Sequence, residues 1–222
     1  MKNNVYRFRA ASSSTPAEIV IYGPIGQDIW GDGITAASFQ KQLRALGTPR
    51  QIDIRINSEG GAVMDARAIY TQLTQHRADI NVYVDGFALS AASLIAMAGD
   101  TIHMGDGSFF MIHDARVYSG GTADDLRKTA DILDQVNETM VSTYSARTGQ
   151  TPERVRDWMK AETWFSAQDA LDAGFADEIM QDVKAAAFYS EELGRYSNVP
   201  PSLRAVTPNR ARALKLLKEI HK

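Results

Sequence analysis

The sequence contains no cysteine, which excludes disulfides, thiolate zinc sites and a cysteine nucleophile and leaves the fold to ordinary packing. A reducing compartment fits that absence. No apolar run approaches membrane-spanning length, and the polar, basic stretch Met1 to Ser14 lacks the apolar centre of a secretory signal, so a cytoplasmic protein off the membrane is expected. Neither sign of charge is in excess. Against 24 Lys and Arg stand 27 Asp and Glu, a formal net charge of -3, which gives no broad attraction to phosphate backbones and makes nucleic acid an unexpected partner. No two histidines stand at metal-ligand spacing and His-Glu-x-x-His is absent, so no metal and no cofactor is expected. What remains is a chain of 222 residues, 44% hydrophobic, enough to bury one sizeable core.

Along the chain, strand and helix patterns alternate. Ile19, Val20 and Ile21 form a short apolar run ending at Gly23-Pro24, as a buried strand before a turn does. Thr35 stands where it can cap a helix carrying Phe39, Leu43 and Leu46, stopped by Gly47 and Pro49. Ile52, Ile54 and Ile56 alternate as in a strand; Val63, Ile69 and Leu73 return to helical spacing; Ile80, Val82 and Val84 mark a third strand leading to Gly86. This order predicts parallel strands joined by right-handed crossovers, with chemistry where strands end and helices begin. A long helix opens with capping-box spacing at Thr122 and Asp125 and stops at Gly149; shorter helices open at Thr151-Pro152 and at Ser166 with Asp169. A brief strand spans Phe175 to Ile179. Residues 1–17 are expected as a flexible arm, 18–182 as the packed domain, and 183–222, with Arg210, Arg212, Lys215 and Lys218, as a basic flexible tail, either merely solvated or a partner-binding or self-cleaved segment.

Two strand ends carry glycine. Val84 to Ser93 leads a strand through Gly86 and sets Ser90 at the first turn of an apolar helix. Ser90 there is either an N-cap or a nucleophile beside the Ala91 amide, a free donor at a helix N-terminus suited to an oxyanion. Ser93, three residues on, competes for the role, but its neighbouring amides belong to the helix. At Ile56-Asn57-Ser58-Glu59-Gly60-Gly61 the paired glycines either make a tight turn or bring backbone amides close to a substrate. His113 ends an apolar strand, as a structural histidine or as a general base for Ser90.

Taken together, Ile56-Asn57-Ser58-x-Gly60-Gly61, Gly86-Phe87-Ala88-Leu89-Ser90 and Met111-Ile112-His113 resemble, in order, the oxyanion segment, nucleophile turn and histidine strand of the ClpP-like serine peptidases. The resemblance runs from about Glu18 to Ile179, with further landmarks at Thr148-Gly149-Gln150, Phe165 to Ala170 and Gly174 to Asp177. Counting between these landmarks places the family's triad aspartate on Glu162, a carboxylate one methylene longer, whose other reading is an exposed helix-end glutamate. Glu59 stands where the family usually has proline. Ile29 to Thr35, the Ala-rich turn Ser90 to Ser93 and Glu162-Thr163-Trp164 are similar to phage and prophage head maturation proteases.

That resemblance implies an α/β fold, a ClpP/crotonase-like spiral of β-β-α units with a long inter-ring helix. It implies serine endopeptidase activity, with Ser90, His113 and Glu162 as the triad and an oxyanion hole from Gly61 and Ala91, with Gly60. It further implies polypeptide substrates, among them capsid or scaffolding proteins, homo-oligomeric rings (a heptamer or stacked tetradecamer) and a Clp ATPase as candidate partner. Two alternatives share the scaffold: a crotonase-like acyl-CoA enzyme without a serine nucleophile, and a catalytically inactive structural paralogue.

Overall fold

The structure, a computed structural model, describes residues 5–27, 33–184 and 191–204. Strand β1 (Val5–Arg9) pairs antiparallel with β2 (Ala17–Tyr22). Next come α1 (Ala36–Ala45), β3 (Gln51–Ser58), α2 (Val63–Thr74), β4 (Asp79–Leu89), α3 (Ala91–Ala96), β5 (Thr101–Asp106) and β6 (Phe109–Ile112). Then follow α4 (Ala123–Thr148), α5 (Pro152–Lys160), β7 (Thr163–Ser166), α6 (Ala167–Ala173), β8 (Glu178–Lys184), a 3₁₀ turn (Glu191–Arg195) and α7 (Pro201–Arg204). The strands form one sheet in the order β1-β2-β3-β4-β5-β8, parallel from β2 to β8, and β6 pairs with both β4 and β7.

Local chemistry explains the elements. In β3, Ile52, Ile54 and Ile56 are fully buried while the residues between them are half-buried, because successive side chains leave a strand on opposite faces. Helix α1 opens on a reciprocal capping box between Thr35 and Ser38 and buries Phe39 and Leu43. Helix α4 opens likewise on Thr122 and Asp125 and ends at Gly149 with φ 69°, a left-handed backbone that glycine adopts without a Cβ clash. All six residues of α3 are buried. Every fully buried Ile or Phe of this core contributes about 1.5–3 kcal/mol, which holds the strand ends at fixed positions. Strands β3, β4 and β6 deliver Gly60-Gly61, Ser90 and His113 at their C-terminal ends, on the side expected for a parallel sheet.

The structure departs from the sequence reading in three places. The arm expected over 1–17 includes β1, where Tyr6↔Ile21 and Phe8↔Ile19 extend the sheet and Phe8 packs edge-on to Phe39; its alternation of apolar and charged residues suits an edge strand. The tail expected from 183 is cut by order: β8 continues to Lys184, and Leu193, Tyr196, Val199 and Leu203 are buried against Phe87, Leu89 and Met111. Their intervals of three, three and four residues are helical, which the charges around them concealed. Strand β4 does not stop at Gly86 but runs to Leu89, exchanging β5 for β6 as its neighbour on the way. The segment Ile29 to Asp32 and the basic residues from 205 onward lie outside the described residues.

Candidate active site

Ser90 follows β4 with φ 53° and ψ -122°, a backbone that L-residues rarely adopt and that persists only where its surroundings impose it. The imposition is visible: the Ser90 N–H donates to Met111 O at 2.9 Å, continuing the β4–β6 ladder beyond Leu89↔Met111. The same ladder brings the residue after Ile112 alongside, and His113 Nε2 lies 2.8 Å from Ser90 Oγ. Ser90 makes no capping bond to α3, so the N-cap alternative does not describe this side chain. Ser93 is fully buried; its hydroxyl donates to Ser90 O at 2.6 Å and meets the Tyr144 hydroxyl at 2.8 Å. It braces the nucleophile turn from below instead of competing with it.

The two glycine turns touch. A Cβ on Gly60 (φ 90°) would stand 2.5 Å from Leu89 O and 2.9 Å from Ser90 Cβ, and one on Gly61 (φ 148°) would stand 2.1 Å from Ile25 O. Ile25 N donates to Gly60 O and Ala62 N to Ile25 O, both at 2.9 Å, which pins the turn from its other side. Of the three amides expected to face an oxyanion, that of Gly60 donates to Ser58 Oγ at 3.1 Å. Gly60 therefore serves close approach and not donation. Gly61 and Ala91 both line the cleft beside Ser90.

His113 is 7% exposed, and its pKa is pushed down to about 4, chiefly by burial, then by the nearby Arg116 charge; Glu162 opposes the shift. At neutral pH the ring is uncharged and able to accept a proton. Glu162 is buried, with φ 49°, and not the exposed helix-end residue of the alternative reading. It nevertheless does not reach the imidazole as expected. Its Oε2 is held by Arg116 and its Oε1 accepts from Asn198 N–H at 2.6 Å, while His113 Nδ1 is buried with no hydrogen-bond partner among the described residues. Glu162 thus acts on the histidine through its charge, but its hydrogen bonds go elsewhere.

Three neighbours of the site escaped the sequence reading. Arg116 follows His113 in an unpatterned loop, and Tyr196 and Asn198 lie in the stretch read as tail. Only the apolar spacing Leu193, Tyr196, Val199, Leu203 could have found the latter two. Beside the Ser90–His113 pair opens a cleft of about 610 Å³ walled by Val63, Ala115, Val117, Leu133 and Met140, apolar enough to take a hydrophobic side chain.

Comparison with known proteins bears on the family and the fold. The family model described as Clp protease matches residues 16–183. Among curated proteins, "ATP-dependent Clp protease proteolytic subunit 2" of Thermobifida fusca is 33% identical over 140 residues, covering 62% of this chain and 69% of the relative. "ATP-dependent Clp protease proteolytic subunit 3" of Streptomyces coelicolor is 28% identical over 185 residues, covering 81% and 84%. Among solved structures, a ClpP1 variant from Listeria monocytogenes superposes with a TM-score of 0.65 at 24% identity, covering 74% of this chain and 91% of that one, a likeness of fold.

Proposed function

Because the chain belongs to the Clp protease family, we propose that it is a serine endopeptidase acting through an acyl-enzyme on Ser90. One observation carries the reading: Ser90 Oγ and His113 Nε2 stand 2.8 Å apart on a positive-φ turn beside an open cleft. As Ser90 Oγ bonds to the peptide carbonyl carbon, its proton passes to His113 Nε2, and the carbonyl oxygen takes the negative charge. Gly61 and Ala91 N–H groups stabilise that oxyanion. His113 then returns the proton to the amide nitrogen as the C–N bond breaks, and water repeats the sequence to release the acid. Glu162 is the carboxylate for the imidazolium when it is turned toward Nδ1. A crotonase-like enzyme needs no serine–histidine contact, and the family match speaks against that alternative.

The finer reading is a head maturation protease that cuts capsid or scaffolding proteins, supported by Glu162 in place of aspartate and by the Ala-rich turn after Ser90. Relatives named as ATP-dependent proteolytic subunits support assembly into rings and a Clp ATPase as partner, with α4 between rings. Among the described residues no helix is long and apolar enough to cross a membrane.

Prolonged exposure to a small fluorophosphonate, followed by peptide mass spectrometry, is expected to modify Ser90 alone. Ser90→Ala and His113→Ala should each keep the circular dichroism spectrum and lose fluorogenic-peptide hydrolysis by at least about 10⁴-fold. Hydrolysis that survives Ser90→Ala would overturn the assignment.

A further inference from the structure

Residues 191–204 lie against the active site, yet the reaction just described gives them no task. Their anchor is apolar: Leu193, Tyr196, Val199 and Leu203 pack on Phe87, Leu89 and Met111, the strand residues that lead into the nucleophile and the histidine. From that anchor the segment reaches the chemistry at three points. The Tyr196 ring stands edge-on to His113, centroids 5.5 Å apart at 85°, and its hydroxyl donates to Glu59 O at 2.5 Å in the glycine turn. Asn198 N–H donates to Glu162 Oε1 at 2.6 Å, while its Nδ2 donates to Ala161 O at 2.6 Å. Arg116 joins the two sides, with Nη1 on Arg195 O at 3.2 Å and Nη2 on Glu162 Oε2.

We propose that residues 191–204 form an autoinhibitory strap that packs beside the Ser90–His113 pair and diverts Glu162 from His113. The inference rests on the peptidase reading and adds its regulation. A catalytic imidazole needs a carboxylate on Nδ1–H to fix its tautomer and to stabilise the imidazolium formed in the transition state. Here that nitrogen is buried without a partner among the described residues, while both oxygens of the nearby carboxylate are taken, one by the strap's own backbone and one by an arginine that the strap also holds. Arg195 and Tyr196 are themselves part of the cleft wall, so the strap occupies space next to the nucleophile as well. When it lifts, Glu162 loses the Asn198 donor, Arg116 loses the Arg195 carbonyl, and the carboxylate is free to turn to Nδ1.

The test uses the full chain in two variants. Leu203→Asp places a charge in the apolar anchor, away from the reacting atoms, and Asn198→Pro removes the N–H that holds Glu162 together with the side-chain bond to Ala161 O. Both are expected to raise the rate of Ser90 labelling by a small fluorophosphonate and the turnover of a fluorogenic peptide by at least about tenfold, a fraction of what correct histidine orientation contributes in serine hydrolases. The acid limb of kcat/KM should also move up toward the ordinary histidine range as Glu162 approaches and Arg195 departs with the strap, against the opposing charge of Arg116 that remains. Folded variants that label Ser90 no faster than the parent, or more slowly because the segment is a productive wall of the substrate cleft, overturn the strap. Absence of Ser90 labelling in parent and variants alike overturns the peptidase reading instead.

Discussion

Single residues carry the most legible chemistry and also the least. Ser90 and His113 were readable because each follows an apolar strand, and pairing of β4 with β6 makes two strand ends neighbours. The bonding of Glu162 was not readable, because Arg116 and Asn198 approach it from loops that leave no periodic trace. His113 also has a consequence for stability. Its folded pKa of about 4 lies below the ordinary value of 6.5, so between those values the unfolded chain binds a proton that the folded chain refuses. Stability is then fully present above pH about 6.5 and falls as the pH drops toward 4, by on the order of 3 kcal/mol at most. Urea denaturation at pH 7 and pH 5 should show that loss in the parent and a smaller one in His113→Gln.

Elements were legible where caps and periods agreed. Thr35, Thr122, Thr151 and Ser166 all act as N-caps, since a hydroxyl that accepts from the third helical amide is a local arrangement that sequence alone encodes. Strands β5 and β7 were missed for the opposite reason: they are short, and their order comes from partners distant in sequence, β5 between β4 and β8 and β7 beside β6. Gly174 shows how tightly an element can end. It closes α6 at φ 87°, where an added Cβ would stand 2.7 Å from Thr148 O at the end of α4. Gly174→Ala should therefore lower stability by about 1–3 kcal/mol, read as a lower midpoint in thermal denaturation, with the Ser90 chemistry intact.

At the scale of the whole molecule, the parallel sheet was legible from alternation of strand and helix, whereas the return of residues 191–204 over the site was hidden among charged and proline residues. The first half of α4 projects from this body with Leu126 and Ile132 at 45% and 58% exposed, apolar surface that a ring–ring contact would cover. Sedimentation velocity should find the parent as a multiple of the 24.4 kDa chain, and Ile132→Glu should shift the distribution toward smaller species. The bend at Gly60 bears on how such a molecule can be altered. With no room for even one carbon between it and the backbone at Leu89, neither bend has a shape of its own. Loop exchange with a relative must then carry both as one cassette, because a chimera that imports either half alone inherits a mismatch at the spot where the least slack exists.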